Sequence, residues 1–310
     1  MRKRIIALFS CTLASCLIIN GCRKHEDEPK CPPIPDCEPT PQSNSAIGYD
    51  YLTEGTHLNT TSFNPNNDDE FVYWAYSDAP RISPTRMDTL FVYNKATGEK
   101  RNIFEGQIAW ATHWGKNGWI LFNSYSGIAT IKPNGDSLRI ISQSYFRPAW
   151  NASCTRIYAS SSNNMNVLLN LDGTVADSFE FGAGDVDFID DDRFLAGHGI
   201  FTISTRQYNP IAEGWGTGCR MISADEFIWW GNFEINKTNI VTQQTVKLKE
   251  TTCKSQAYLE PSVNASRTKV LWTTVKYHAD TCLADKLYSD YEIVEINTDG
   301  SDEREIGIPE

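Results

Sequence analysis

The sequence predicts an all-β chain folded as a β-propeller of six four-stranded blades, and three observations carry that prediction. One segment occurs twice: PAWNASCTRIYA at 148–159 and PSVNASRTKVLW at 261–272 share Pro-x-x-Asn-Ala-Ser-x-Thr followed by a basic and a β-branched residue. Short alternating apolar runs recur along the chain, and Asn-Gly or Asp-Gly turns follow several of them. A strand–turn–strand unit repeated at a regular interval is typical of propellers and related repeat folds.

The alternating runs are the predicted strands. They are rich in aromatic and β-branched residues and are bounded by turn residues, which is the signal of half-buried and buried strands. Stretches of ten or more residues with the 3.6-residue period of a helix are not found. The runs are FVYWAY (71–76), TLFVYN (89–94), WILFNS (119–124), RIYASS (156–161), NVLLNL (166–171), FIWWGN (227–232), KVLWTT (269–274) and YEIVEI (291–296).

The runs fall into units that each begin with an apolar anchor, followed by a polar turn and a strong strand. The six anchors are Phe63, Trp114, Trp150, Phe188, Ile222 and Val263. Units averaging about 40 residues have room for the four strands of a propeller blade. The units at 186–212 and 220–249 are the weakest, which leaves counts of five and seven blades open.

The repeated segment also resembles a known family. The pattern P-x-W-N-A-S-x-x-R-I, followed by the hairpin N-L-D-G-T, resembles the TolB-like (WD40-like) propeller repeat, in which the turn reads Ser-Pro-Asp-Gly. Asn151-Ala152-Ser153 and Asn264-Ala265-Ser266 stand in place of that turn. The resemblance implies a disc of blades around a central tunnel, with ligands at the disc face or the tunnel mouth and often without catalysis.

The N-terminus predicts export and lipidation. Residues 1–21 combine a basic start with a short apolar stretch that ends at Gly21-Cys22, which resembles a bacterial lipoprotein signal. Cys22 would carry the lipid, although Cys16 also fits the motif and an ordinary signal or uncleaved anchor stays possible. Residues 22–45 are a Pro-rich tether and 46–310 the propeller. We expect an outer membrane lipoprotein that faces the periplasm or the cell surface.

The cysteine count favours an oxidising compartment. Three of the nine cysteines belong to the signal and the lipid site, which leaves an even set for disulfides: Cys31, Cys37, Cys154, Cys219, Cys253 and Cys282. Cys31 and Cys37 lie close together in the tether and are expected to form a local bridge. Cys253 and Cys282 share the last unit and form the second expected pair, so that Cys154 with Cys219 follows by elimination.

Polar residues beside the anchors are the candidate ligand-binding residues, because in a propeller such positions point toward one axis. They are His113, Arg147, Asp187, Arg220, Glu260 and Ser262. The alternative is that these side chains satisfy backbone groups of neighbouring blades or line a wet channel. Nine tryptophans could offer stacking platforms, but core packing is expected for at least six of them.

Catalytic and metal chemistry have little support in the sequence. Four histidines follow the tether, at positions 57, 113, 198 and 278, and only His113 lies beside an anchor, whereas a catalytic metal needs three ligands in tight geometry. The chain has no Gly-x-Ser-x-Gly elbow, and the acidic stretch 185–192 lacks the spacing of a calcium loop. We therefore predict no catalytic residue, no metal and no cofactor.

The net charge narrows the class of partner. A formal charge of −11, without a basic cluster beyond the signal, argues against a nucleic-acid partner. The sequence thus predicts a membrane-anchored, non-catalytic module that binds a protein or a glycan at the propeller face. The alternative is a carbohydrate-active enzyme, a polysaccharide lyase or hydrolase, with its site at the tunnel mouth.

Overall fold

The computed structural model describes residues 57–76, 88–161, 165–181, 185–197, 199–211, 217–231, 234–250, 255–279 and 287–308. These residues contain 24 β-strands. The strands form six four-stranded antiparallel sheets. The predicted all-β, six-blade propeller is therefore confirmed, and the open blade count is settled at six. The eight sequence segments predicted as strands all fall on the second or third strand of a blade.

Each blade is an up-and-down meander of four consecutive strands. The first three blades contain β1 (His57–Asn64), β2 (Asn67–Tyr76), β3 (Asp88–Asn94), β4 (Glu99–Gly106), β5 (Ile108–Trp114), β6 (Ile120–Ser124), β7 (Gly127–Ile131), β8 (Arg139–Ser142), β9 (Phe146–Trp150), β10 (Ile157–Ser160), β11 (Met165–Leu169) and β12 (Val175–Glu180). The last three contain β13 (Val186–Phe188), β14 (Arg193–Ala196), β15 (Gly199–Thr202), β16 (Gln207–Pro210), β17 (Thr217–Met221), β18 (Glu226–Gly231), β19 (Glu234–Asn239), β20 (Thr245–Glu250), β21 (Ser255–Val263), β22 (Lys269–Ala279), β23 (Leu287–Asn297) and β24 (Arg304–Glu305).

The core lies between the blades, and the second strand of a blade shows why. In β2, Val72 and Trp74 pack against blade 2, whereas Phe71 and Tyr73 on the opposite face pack against blade 6. A strand places successive side chains on opposite faces, so an almost continuous apolar run is needed where both faces are buried. The outermost strands β8, β12 and β20 are largely exposed.

The first strands of the six blades surround one axis. Each first strand contacts the first strand of the next blade, and β21 of blade 6 contacts β1 of blade 1. Blades 1 and 6 each consist of consecutive strands, so the described residues close the ring without exchanging a strand between the chain ends. The sequence alone leaves open whether Ile47–Leu52 pairs with the last blade, and this segment lies outside the described residues.

The repeated Asn-Ala-Ser segments form the turns between the first and second strands of blades 3 and 6. Asn151 accepts hydrogen bonds from the backbone N–H groups of Thr155 and Arg156 at 2.9 and 2.7 Å. Asn264 does the same for Thr268 and Lys269 at 2.9 and 2.8 Å. An asparagine side chain that binds backbone groups of its own loop holds the turn in place of a regular ladder.

These two turns are also bound by the following blade. The Ser153 N–H donates to Asp191 Oδ1 of blade 4 at 2.9 Å, and the Ser266 N–H donates to Asp68 Oδ1 of blade 1 at 3.1 Å. The fourth residue of each turn, Cys154 or Arg267, has a positive φ of 54° or 58°. The sequence repeat thus encodes a contact between blades as well as a turn.

A buried ion cluster joins the last blade to the first. Glu295 of β23 is 1% exposed and binds Lys95 of blade 1 as well as Lys269 and Arg304 of its own blade. The distances from Glu295 Oε1 to Lys269 Nζ and Arg304 Nη2 are 2.7 and 2.6 Å. Burial alone would raise the pKa of Glu295, but hydrogen bonds from Lys269, Lys95 and Arg304 outweigh it and lower the pKa to about 2.

The cysteines correct one prediction. Cys154 and Cys219 are both buried free thiols, so the bridge between them that was expected by elimination is not formed. The physical reason is their placement: Cys154 packs in a core cluster with blades 2 and 3, and Cys219 packs in another with blades 4 and 5. Cys31, Cys37, Cys253 and Cys282 lie outside the described residues.

The predicted anchor and tether cannot be placed. Cys22, the boundaries at 21/22 and 45/46, and the whole of 1–56 lie outside the described residues. Within the described ranges, no helix is long and apolar enough to cross a membrane.

Replacing Glu295 by Gln tests the ion cluster. Because Lys95 would be left buried without its carboxylate, we expect the free energy of unfolding at pH 7 to fall by about 3 kcal/mol. The folded pKa of Glu295 lies below its unfolded value of 4.5, so its contribution is complete above pH 4.5 and is lost as the pH falls toward 2. Urea unfolding of the wild type and of Glu295→Gln between pH 7 and 3 measures this contribution. The difference between their free energies of unfolding should narrow as the pH falls.

The control is Glu234→Gln, which removes a surface partner of Lys247, a side chain that is 45% exposed. Exposed pairs contribute little, so this variant should unfold close to the wild type at every pH. An equal loss in both variants would contradict a special role for the Glu295 cluster.

Candidate functional site

A cavity of about 320 Å³ lies on the propeller axis and is lined by residues from all six blades. It opens on the face that carries the turns between the first and second strands. The lining residues in chain order are Ser62, Phe63, Pro65, His113, Trp114, Gly115, Lys116, Trp150, Asn151, Ala152, Cys154, Asp187, Phe188, Ile189, Arg220, Met221, Ser262, Val263, Asn264, Ala265 and Arg267.

Strand pairing identifies equivalent positions in the six blades. In blades 2 to 6 the equivalent residue is the last of the first strand, and in blade 1 it is the last but one, before the irregular pairing of Asn64. These residues are Phe63, Trp114, Trp150, Phe188, Met221 and Val263. Five are the predicted anchors, but in blade 5 the equivalent residue is Met221 and not Ile222. The pairing of Met221 with Phe227 makes the difference, because Ile222 follows the end of β17.

The residues one position before these anchors form the deepest described layer of the cavity wall. They are Ser62, His113, Ala149, Asp187, Arg220 and Ser262, and all except Ala149 line the cavity. Four of the six predicted site residues, namely His113, Asp187, Arg220 and Ser262, are thus brought together. Ser62 was missed, although its place directly before the anchor Phe63 was a signal that could have found it.

Two predicted residues are not placed in the cavity wall. Arg147 lies two positions before Ala149, has a positive φ of 53° and is exposed, and it does not belong to the lining. In blade 3 the residue directly before the anchor Trp150 is Ala149. Arg147 is the nearest polar residue before that anchor, but it lies three positions away from it. Glu260 belongs to β21, but its side chain lies outside the described set.

His113 and Arg220 meet across the axis. They belong to blades 2 and 5, which are opposite one another in a six-blade ring, and Arg220 Nη2 lies 3.1 Å from His113 Nε2. Burial lowers the pKa of His113 to about 3, with a further contribution from the charge of Arg220. Because a guanidinium can only donate, Nε2 of the neutral ring accepts this bond and Nδ1 carries the proton.

Arg220 also lies in the field of a half-buried carboxylate, that of Asp187. Its Nη1 donates to the Cys219 carbonyl at 2.7 Å. Burial raises the pKa of Asp187, and the nearby charge of Arg220 and the Met221 N–H, which donates to Asp187 Oδ2 at 2.8 Å, counteract this only in part. The cavity floor therefore holds a fixed cation, a neutral histidine and a carboxylate within one layer.

The serines of this layer connect adjacent blades. Ser262 Oγ of blade 6 accepts the N–H of Phe63 in blade 1 at 2.7 Å, and Ser62 Oγ of blade 1 accepts the N–H of Trp114 in blade 2 at 2.9 Å. Asp187 makes the same kind of bond from blade 4 to blade 5. The sequence left open that such side chains satisfy backbone groups of a neighbouring blade. Ser262 and Asp187 both do so.

The cavity wall is cationic. Among the described residues it contains three cations, Lys116, Arg220 and Arg267, and one carboxylate, Asp187. Lys116 and Arg267 are exposed at the rim, and their charges reach far enough to act on the pKa of Asp187. The formal charge of the whole chain is −11, so the cavity has the opposite sign to the molecule around it.

Most of the tryptophans pack in the core and are not exposed as stacking platforms for a ligand. The expectation for at least six of the nine is confirmed, because the following tryptophans are at most 8% exposed: Trp74, Trp114, Trp150, Trp229, Trp230 and Trp272. Trp114 and Trp150 border the cavity but keep only 7% and 6% of their surface.

The histidines do not form a metal cluster within the described part of the chain, where no group of three potential His, Cys, Asp or Glu ligands is found. Only His113 has a described side chain. His198 and the side chains of His57 and His278 lie outside the described set.

A double-mutant cycle tests the charge pair on the floor. Arg220→Gln should lower the free energy of unfolding at pH 7 by about 2 kcal/mol, less than for a fully dry pair because the cavity admits water. The loss should shrink as the pH falls toward 4, because the raised pKa of Asp187 means that this carboxyl loses its charge at a higher pH than an ordinary aspartate does. Urea unfolding measures both values.

The other two variants of the cycle are Asp187→Asn and Arg220→Gln/Asp187→Asn. The asparagine side chain introduced by Asp187→Asn keeps an oxygen that can accept the Met221 N–H, and it carries no charge. We expect the double variant to regain most of the lost stability at pH 7. A double variant that is no more stable than Arg220→Gln would show that the unpaired Asp187 carboxylate does not cause the loss of stability in Arg220→Gln.

Similarity to known proteins is found among solved structures, at low sequence identity. No family model matches the chain, and no curated protein matches it. The C-terminal WD40 domain of Sif2 is 13% identical with a TM-score of 0.48, over 84% of this chain and 98% of that one. An oligogalacturonate lyase from Vibrio parahaemolyticus is 10% identical with a TM-score of 0.47, over 83% of this chain and 79% of that one. Such likeness concerns the fold alone, and the six-blade propeller of this chain rests on its own strand pairing.

Proposed function

We propose that this protein is a lipid-anchored, non-catalytic binding module of the cell envelope, whose propeller takes a protein or glycan partner at the mouth of the axial cavity. The observation that carries the proposal is the cavity itself, which draws its wall from all six blades and has a charge opposite to that of the molecule. A concave site with a few convergent polar groups is the usual form of a ligand pocket.

The polar groups of the floor favour binding over catalysis. Ser262 and Asp187 are each engaged by a backbone N–H of the next blade, and His113 already accepts from Arg220. A general base works best with a pKa near the operating pH, whereas the pKa of His113 is lowered to about 3. These groups suit a preformed surface whose atoms stay in place when a partner arrives.

The N-terminal sequence supports the envelope role. A lipid on Cys22 would hold the protein at the outer membrane, on its periplasmic or its outer surface. The Pro-rich tether of residues 22–45 would span about 75 Å in the polyproline II conformation, at about 3.1 Å per residue. A propeller held in this way reaches partners well beyond the lipid headgroups.

A polysaccharide lyase or hydrolase is the second candidate, and one observation favours it. Asp187 is a carboxyl group with a raised pKa that lines a cavity next to a fixed cation, and perturbed groups of this kind cluster at active sites. Turnover of an acidic polysaccharide that is lost in Asp187→Asn, with the fold retained, would replace the binding proposal by this one.

The anchor has a direct test. Cys22→Ala should move the protein from the membrane fraction to the soluble fraction, because it removes the thiol that carries the predicted lipid. Cell fractionation and mass spectrometry of the N-terminal peptide measure this. Cys16→Ala is the matched control and should stay lipidated, so release by Cys16→Ala alone would transfer the anchor to that residue.

Site-specific photocrosslinking in cells tests the binding role. A photoreactive amino acid at Ala265, which is exposed and lines the cavity, should give a discrete adduct identifiable by mass spectrometry. The control position is Val246 on the outermost strand of blade 5, which is 56% exposed. The same adducts from both positions, or none from Ala265, would contradict a partner at the cavity mouth.

A further inference from the structure

The three cations of the axial cavity are placed at two depths. Arg220 lies on the floor, whereas Lys116 of blade 2 and Arg267 of blade 6 lie at the rim. One carboxylate, Asp187, opposes them among the described lining residues. A chain with a formal charge of −11 repels anions at a distance, so an anion that binds here must do so through local contacts.

The guanidinium of Arg220 is held in position before any ligand arrives. Its contacts with Cys219 and His113 use two of its five N–H groups and fix the plane of the group. A fixed guanidinium matches the two oxygens of a carboxylate better than a flexible ammonium does. Since Arg220 lines the cavity, its plane offers this match to a ligand that reaches the floor.

Arg267 at the rim is also preorganised. Its N–H donates to the Asn264 carbonyl at 3.0 Å, and its φ of 58° is set by the turn that Asn264 holds. A charged group on an ordered turn loses less conformational freedom on binding than one on a loose loop. The rim cation is therefore fixed at its backbone.

The shape of the cavity favours a peptide over a sugar. Sugar rings commonly stack on exposed aromatic faces, but Phe63, Trp114 and Trp150 beside the cavity are 2%, 7% and 6% exposed. The fourth aromatic residue of the lining, Phe188, is half-buried and packs against Tyr158 and Phe194. The volume of about 320 Å³ is at the lower end of the range for ligand pockets. A narrow, polar and cationic cavity whose aromatic rings are buried or half-buried fits an acidic side chain or a chain-terminal carboxylate.

We propose that the axial cavity binds the carboxylates of an acidic peptide segment, with one carboxylate on Arg220 at the floor and a second between Lys116 and Arg267 at the rim. This inference rests on the proposed binding role of the cavity and names the chemistry of the partner that fills it.

The test is calorimetry on the full-length protein in a non-ionic detergent. The probes are acetyl-triglutamate amide, the matched acetyl-triglutamine amide, and trigalacturonate as the acidic sugar. The glutamate peptide should bind and the glutamine peptide should not. The affinity for the glutamate peptide should also fall severalfold as the salt concentration rises from about 50 to about 500 mM, because rim charges are screened by salt.

A rim variant avoids the folding risk of changing Arg220. Lys116→Gln/Arg267→Gln removes two exposed charges and should weaken the glutamate peptide at least about tenfold. The matched control is Arg206→Gln/Lys247→Gln, which removes two charges from exposed positions near the outer strands and should leave the affinity unchanged. Equal losses in both variants would show a general charge effect and overturn the inference.

The remaining outcomes separate this inference from the proposed function. Trigalacturonate binding that depends on Lys116 and Arg267, without peptide binding, would overturn the peptide partner and keep the cavity as a binding site. No binding of any probe, together with a discrete crosslink from Ala265, would overturn the acidic chemistry alone. No binding and no crosslink would overturn both.

Discussion

Burial of both faces of every blade is the constraint on which this structure depends. Strand β2 places Val72 and Trp74 against one neighbouring blade and Phe71 and Tyr73 against the other, so blade 1 is stable only when both neighbours are present. The same need arises around the ring and makes closure obligatory. At the closing interface, β1 contacts β21, and Glu295 adds a buried carboxylate with three cations across the two chain ends. Burial of apolar side chains attracts any two blades to each other. The ion cluster adds a specific contact that pairs the Phe71 face of blade 1 with blade 6.

The same closed ring positions the candidate site. Each blade contributes one residue to a layer just before its anchor, and the five polar residues of this layer are of two kinds. Ser62, Ser262 and Asp187 accept a backbone N–H of the next blade and so keep neighbouring blades in register. His113 and Arg220 instead contact each other across the axis. The site is rigid because the groups that line it are also the groups that join the blades.

The sequence predicted the units and the strands but not the contacts across the ring. Alternating runs, turn residues and the repeated Asn-Ala-Ser segment depend on local chemistry, which is legible in one stretch of chain. Met221 and Ile222 are adjacent and both apolar, so only strand pairing shows which one ends β17. The contact between His113 and Arg220 joins residues 107 apart and requires the blade count, because blades 2 and 5 are opposite only in a ring of six. An even number of cysteines likewise does not show which sulfurs lie close, as the two separate thiols demonstrate.

The turns held by Asn151 and Asn264 have a consequence for what the cavity can become. In the TolB-like repeat that they resemble, the fourth position of the turn is glycine, the residue that adopts a positive φ without cost. Here Cys154 and Arg267 occupy that position at 54° and 58°. A left-handed residue other than glycine costs about 1 kcal/mol, and the side-chain bonds of the asparagine offset it. With asparagine holding the turn, the fourth position can carry a side chain, and in blade 6 it brings an arginine to the rim of the axial cavity, where a glycine would present only backbone.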